Sequence, residues 1–230
     1  MKVVISAATS GELMPTYFAI NPLYTNDSTQ MKVLFHVSGV GMLQTAVSLT
    51  RMSLKVEPDI IIQVGIAGTF NTSLPLGETV VVDEEMLGDM GVQEDNKWKD
   101  IFDLQLTDSN FPPFKKRKLV NPNLLKYNIL KLPEVSAITV NEISTDILRI
   151  RQLIKNYNPV IESMEGAALH YVCSELNIPF IQIKSISNYI GDRNKHNWKL
   201  KEAITNVNQT LLKYIDKLRE LPLKELVGSK

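Results

Sequence analysis

Apolar and polar residues occur along the chain in blocks. Six short runs rich in valine and isoleucine recur, at residues 3–7, 33–37, 60–64, 79–82, 137–140 and 180–186, and each gives way to small or polar residues. A run that is apolar throughout, rather than at every second position, predicts a strand covered on both faces. Between the runs the apolar spacing changes to three and four. Met42, Ala46, Leu49 and Met52 share one face after Gly41, in a segment closed by Pro58. Ile147, Ile150 and Ile154 mark a second helix, with Ser144 and Thr145 as its expected caps. Met164, Ala167, Ala168, Tyr171 and Val172 mark a third, ending before Asn177-Ile178-Pro179. A fourth covers about residues 198–218, with Ala203, Val207, Leu211, Tyr214, Ile215 and Leu218 on its expected buried side. Strands alternating with helices predict an α/β fold, a mostly parallel central sheet flanked by helices, in a single domain over residues 1–230.

Composition narrows this picture. At 44% apolar and 22% charged, the 230 residues suffice for a packed core and exclude a disordered or collagen-like chain. Twenty-five basic residues balance 25 acidic ones, so no global field favours nucleic acid or an anionic membrane. The pattern weakens between residues 84 and 122, where acids cluster ahead of Pro112-Pro113-Phe114-Lys115-Lys116-Arg117-Lys118. That mixture predicts a solvated excursion rather than a nucleic-acid patch. The sole cysteine, Cys173, cannot pair internally and reads as a small buried hydrophobe. The opening Met1-Lys2-Val3-Val4-Ile5-Ser6-Ala7-Ala8 is soon followed by Glu12, so it reads as a first strand and not a secretion signal. No run approaches the ~18 apolar residues of a membrane span. A soluble cytoplasmic protein is expected.

Chemistry is sought beyond the carboxyl ends of the strands, where open α/β sheets bind ligands. Thr9-Ser10-Gly11-Glu12, Ser38-Gly39-Val40-Gly41, Gly65-Ile66-Ala67-Gly68 and Ser187-Asn188 all follow predicted strands, and Glu165 opens a predicted helix. Gly39-x-Gly41 lacks the third small residue of a dinucleotide fingerprint, since that position holds Gln44, and no phosphate loop is present. A tight turn accounts for both glycines. His36, His170 and His196 lack metal-ligand spacing, with His36 read as structural and His170 as a surface or core histidine, so neither metal nor cofactor is expected. What remains is a pair of carboxylates, Glu12 and Glu165, with amide and hydroxyl donors at Asn188 and Ser187. Hydrolysis of a C–N glycosidic bond uses such a set: one carboxylate takes a proton from water, another steadies an oxocarbenium-like sugar, and donors stabilise the departing base. The alternative is that both glutamates merely face helix N-termini, worth ~0.3–1 kcal/mol each.

Several segments together resemble the purine nucleoside phosphorylase/uridine phosphorylase superfamily, in particular its nucleosidase branch. They are Ser38-Gly39-Val40-Gly41, residues 58–68, residues 76–82, Ser163-Met164-Glu165-Gly166-Ala167-Ala168, and residues 178–187. The resemblance implies a Rossmann-like nucleoside phosphorylase fold, a small-molecule nucleoside substrate and a homodimer. It also implies roles: Glu12 positions and deprotonates water, Glu165 binds the ribose hydroxyls, and Met164 packs on the sugar. Ala67 and Gly68 would lie beside base and ribose, and Ser187 and Asn188 would meet the purine. The phosphate-binding arginines of the phosphorylases are not evident, which favours water as acceptor. Adenine-releasing members carry Asp where this chain has Asn188, and an amide is no general acid at neutral pH. Residues 187–198 resemble the Ser-Asn-Tyr…Arg-Asn…Trp signature of branch members that release hypoxanthine from a benzoate-bearing nucleoside, which makes Arg193 the expected partner of that carboxylate.

Overall fold

The structure, a computed structural model, describes residues 1–24, 31–95 and 97–221. The chain begins with β1 (Lys2–Ala7), α1 (Ser10–Tyr24), β2 (Lys32–Val37), α2 (Met42–Val56), β3 (Ile60–Thr69) and β4 (Thr79–Leu87). The acidic and basic excursion follows, with the hairpin β5 (Gly91–Glu94) and β6 (Lys97–Asp100), then β7 (Leu119–Val120) and the short α3 (Leu124–Tyr127). The chain then returns through β8 (Glu134–Thr139), α4 (Ile147–Tyr157), β9 (Ile161–Ser163), α5 (Gly166–Glu175), β10 (Phe180–Tyr189) and α6 (Leu200–Glu220).

The valine and isoleucine runs form strands that are buried on both faces, except β2, an edge strand that stays half-buried with Val37 exposed. On one face Val3, Ile5, Ile60, Ile62, Ile181 and Ile183 pack against α1 and α6. On the other, Val4, Ile61 and Phe180 meet Leu49 of α2 and Leu169, Val172 and Cys173 of α5. Cys173 is buried as expected, and burial pushes its thiol up.

The sheet is mixed and closes on itself, where a Rossmann-like, mostly parallel sheet flanked by helices was expected. β2, β1, β3 and β10 run parallel in that order, but β4 joins β10 antiparallel, β8 and β9 follow in parallel, and β9 returns antiparallel to β3. Five strands thus close into a ring, and one apolar cluster draws on all five: Ala67, Val80 and Val82, Val135 and Ala137, Ile161, and Ile186. The cause is strand length. β3 runs on through Gly65-Ile66-Ala67-Gly68, and β10 through Ser187-Asn188, so both motifs are strand rather than loop. Long twisted strands with small residues curl, and a register shift between Ile186 and Asn188 adds to the bend.

Two boundaries also differ. Asp146, not Ser144 or Thr145, caps α4, accepting from the Arg149 N–H. α5 starts at Gly166, so Met164 lies before it. Gly39 and Gly41, at φ 86° and 88°, make the expected tight turn into α2. The excursion is only partly solvated: Lys118 pairs with Glu84 and Arg117 with Asp100 and Asp103, while Glu85 and Asp100 are buried. His170 is fully buried with Nδ1 against the Leu119 carbonyl, His36 meets the Ser48 hydroxyl, and His196 is exposed. Among the described residues no helix is long and apolar enough to cross a membrane, and no three His, Cys, Asp or Glu residues group as metal ligands.

Candidate active site

Barrel closure leaves a cavity of about 340 Å³ between the mouth of the ring, the start of α1 and the segment after β10. All eight residues singled out from the sequence line it: Glu12, Ala67, Gly68, Met164, Glu165, Ser187, Asn188 and Arg193. The two carboxylates therefore share one chamber, although they enter from opposite ends of the chain.

Glu12 lies in the first turn of α1, buried, and is held from both sides. Its Oε2 accepts from the Thr9 N–H and hydroxyl, each at 3.0 Å, and its Oε1 from the Ile66 N–H at 3.3 Å. Glu165 occupies the N-cap position of α5 yet makes no side-chain cap. Its Oε1 instead accepts from the Gly41 N–H at 3.0 Å, across the Gly39–Gly41 turn. Glu165 thus does not cap its own helix but faces the start of α2, whose N-cap is Gly41, so the helix-terminus alternative holds for it with the neighbouring helix.

A residue not singled out from the sequence joins the pair. Lys184 of β10 is buried, with Nζ 3.8 Å from Glu165 Oε2. A Cβ on Gly65 would sit 2.8 Å from Glu12 Oε1 and 3.0 Å from Lys184 Nζ, so the ammonium also stands near Glu12, and only glycine fits between them. Clustered charges offset the cost of burying each one. The sequence signal for Lys184 is a charge inside a run buried on both faces.

Next to this group lies a third carboxyl, Glu85, fully buried. Thr139 Oγ1 and Gln182 Nε2 donate to it, each at 2.9 Å, and Thr139 Oγ1 in turn accepts from the Ala167 N–H of α5 at 2.8 Å. Burial pushes the Glu85 carboxyl up to about 7, against the pull of those donors and of the Lys184 charge.

The other end of the cavity is built around Gly68. Asn188 lies opposite it on β10 and Glu162 opposite it on β9. Ser187 is the extra residue of the β10 register shift, and its hydroxyl lies 2.8 Å from Asn188 Oδ1 and 3.1 Å from the Ala67 carbonyl. Ile143 and Ile190 supply apolar walls. At the rim the exposed Arg193 guanidinium lies 5.2 Å from the Trp198 ring, whose Nε1 is fixed by the Asp192 carbonyl. Glu162, which also lines the cavity, is a second residue not singled out from the sequence.

The chain belongs to the phosphorylase superfamily, whose family model matches residues 8–218. Among named relatives, it is 25% identical to a futalosine hydrolase of Thermus thermophilus over 177 residues, 73% of this chain and 74% of that one. It is 24% identical to a 5′-methylthioadenosine/S-adenosylhomocysteine nucleosidase of Pseudoalteromonas translucida over 211 residues, 87% of this chain and 86% of the other. The crystal structure of a nucleosidase of that second kind from Colwellia psychrerythraea, in complex with adenine, superposes with a TM-score of 0.75 at 21% identity, covering 95% of this chain and 96% of that one. That likeness establishes the shared fold.

Proposed function

We propose that the protein is a nucleosidase, a hydrolase that cleaves the N-glycosidic bond of a purine nucleoside. The observation that carries this reading is the meeting of Glu12 and Glu165 in one buried chamber with Asn188 across it. In this reading Glu12 takes a proton from water as the oxygen attacks the anomeric carbon. Glu165 and Met164 hold the sugar, the carboxylate accepting from its hydroxyls as positive charge grows on the ring. Ala67 and Gly68, which present little bulk, flank base and ribose. Asn188, steadied by Ser187, donates to the purine as the C–N bond breaks and the base leaves with its electron pair. Replacing Glu12 by Gln should lower kcat by at least about 100-fold while substrate still binds, as removal of a general base does. Unchanged turnover by chromatographic assay of base release removes Glu12 from this role.

For the particular substrate, we propose futalosine, cleaved to hypoxanthine and dehypoxanthine futalosine in the alternative menaquinone pathway. Support comes from Asn188 in the place of a proton-donating Asp, and from Arg193 at the rim, where a guanidinium can pair bidentately with a benzoate. The second reading is a methylthioadenosine/S-adenosylhomocysteine nucleosidase, favoured by the relative aligned over 211 residues. Offering futalosine and methylthioadenosine side by side separates the two by whether hypoxanthine or adenine appears. Release of neither base would leave a nucleoside-binding protein of the same fold. A homodimer is also proposed, since α2 leaves Leu43, Val47 and Leu54 exposed.

A further inference from the structure

Glu162 is a buried carboxyl group that the reaction above does not use. It is 5% exposed, lines the cavity, and has one oxygen committed, Oε1 accepting from the Ser144 N–H at 3.1 Å. Its Oε2 has no partner among the described residues. A buried polar atom left unpaired is costly, on the order of 1–3 kcal/mol, and such atoms in a binding chamber are commonly completed by ligand.

The strand register says which part of a ligand it would meet. Asn188, Gly68 and Glu162 stand side by side on β10, β3 and β9, so their positions face the same side of the sheet. Asn188 and Glu162 are two strand spacings apart, roughly 10 Å between backbones, with Gly68 leaving room between them. A flat base lying over Gly68 therefore reaches Asn188 with one edge and Glu162 with another.

The two residues present opposite hydrogen-bonding characters. The Ser187 hydroxyl engages Asn188 Oδ1 and one Nδ2–H goes to the Tyr189 carbonyl at 3.2 Å, which leaves the second Nδ2–H of this cavity-lining residue as a donor for ligand. A carboxylate oxygen at Glu162 is an acceptor. A 6-oxopurine offers acceptors at N7 and O6 and an N–H at N1 on the neighbouring edge. Adenine offers an acceptor at N1, which would face a carboxylate with two lone pairs opposed.

We propose that Glu162 is a specificity-determining residue that accepts the N1–H of a 6-oxopurine through its free oxygen, while Asn188 donates to the acceptors of the other edge, so that the chamber selects 6-oxopurine over adenine. This rests on the reading above in which the base lies against Gly68 and Asn188. Burial raises the Glu162 carboxyl above its ordinary range, while the Ser144 contacts and Arg149 counter that effect.

The test is Glu162→Gln, which keeps an oxygen for the Ser144 N–H and places an amide donor where the free acceptor stood. Binding of free hypoxanthine and of free adenine to the full chain is measured by calorimetry, and base release from futalosine and methylthioadenosine by chromatography. Wild type is expected to prefer hypoxanthine; Glu162→Gln should weaken it about 100-fold and turn the preference toward adenine, as expected when a buried donor meets a donor. Equal losses for both bases, or an unchanged ratio, overturn the proposal. A hypoxanthine bias in binding that Glu162→Gln reverses, with no turnover of either nucleoside, would sustain Glu162 and defeat the nucleosidase reading. Turnover with an unaltered base ratio would do the opposite. If Glu162→Gln fails to fold, Ser144→Pro, which deletes the N–H that holds Oε1, should loosen the base ratio, and an unaffected ratio there overturns the proposal.

Discussion

At the scale of single residues, the interior carries charge and protons in places where apolar packing would be simpler. Glu85 has its carboxyl pushed up to about 7 by burial, while the unfolded chain releases that proton near 4.5. The folded protein therefore binds one more proton between these values, and stability falls as pH rises through the window. His170, lowered to about 4 by burial, acts in the opposite sense: below about 6.5 the unfolded chain takes up a proton that the folded one refuses, and stability falls as pH drops. Replacing Glu85 by Gln removes the first slope and leaves the second. The melting temperature of Glu85→Gln minus that of wild type should thus climb from about pH 5 to about pH 7. A constant difference across that range would show that Glu85 titrates as an ordinary glutamate.

Among the elements, α5 shows how a helix start is released for other duty. The residue at its N-cap, Glu165, sends its carboxylate to Gly41, and Thr139 from β8 receives the Ala167 N–H instead. Thr139 can do this because its hydroxyl donates to Glu85 Oε2, leaving the oxygen lone pairs for the helix N–H. Gly166 is obligatory here, since a Cβ would lie 1.6 Å from Glu85 Oε1. Thr139→Val should cost roughly 2 kcal/mol in urea denaturation, combining a lost cap with an unpaired carboxyl oxygen, and Thr139→Ser should restore most of it. Equal stabilities for Val and Ser would show that the hydroxyl does not cap α5. The start of α5 was legible as sequence, in Glu165-Gly166-Ala167; its cap was not. Thr139 lies 28 residues away, at the end of a strand paired through backbone alone, and no local pattern announces such a partner.

For the molecule as a whole, four helices (α2, α4, α5 and α6) and the six apolar strands were legible because burial on one face or both leaves a period in the sequence. α1, with Met14 and Phe18 exposed as well as Leu13 and Ile20 buried, and the four-residue α3 show none. The closed ring was not, because closure depends on pairing between β3 and β9, whose contact rests on Gly68 and Thr69 opposite Glu162 and Ile161. β9, at three residues, is too short to show a period. Glu12, Ala67, Gly68, Glu165, Ser187 and Asn188 were legible because small, polar and acidic side chains follow apolar runs, while Met164 and Arg193 came only from the family resemblance. Lys184 and Glu162 were not singled out, since each interrupts an apolar run as a lone charged residue. On the outer surface, Leu43, Val47 and Leu54 of α2 are among the most exposed apolar side chains described, near Val37 and Val40. Sedimentation of wild type should give twice the 25.9 kDa mass, and Leu43→Glu should shift it toward one chain. A wild-type boundary at the single-chain mass sinks the homodimer.

The ring has a consequence for how the chain comes to be folded at all. β3 takes β10 as its neighbour about 120 residues later, and its far end waits for β9. Until those late strands leave the ribosome, the early sheet presents an open valine- and isoleucine-rich border that any passing strand could extend. The interval of greatest danger for this protein thus falls before residue 180 emerges, and a holding chaperone has its use during synthesis, well ahead of any encounter with substrate.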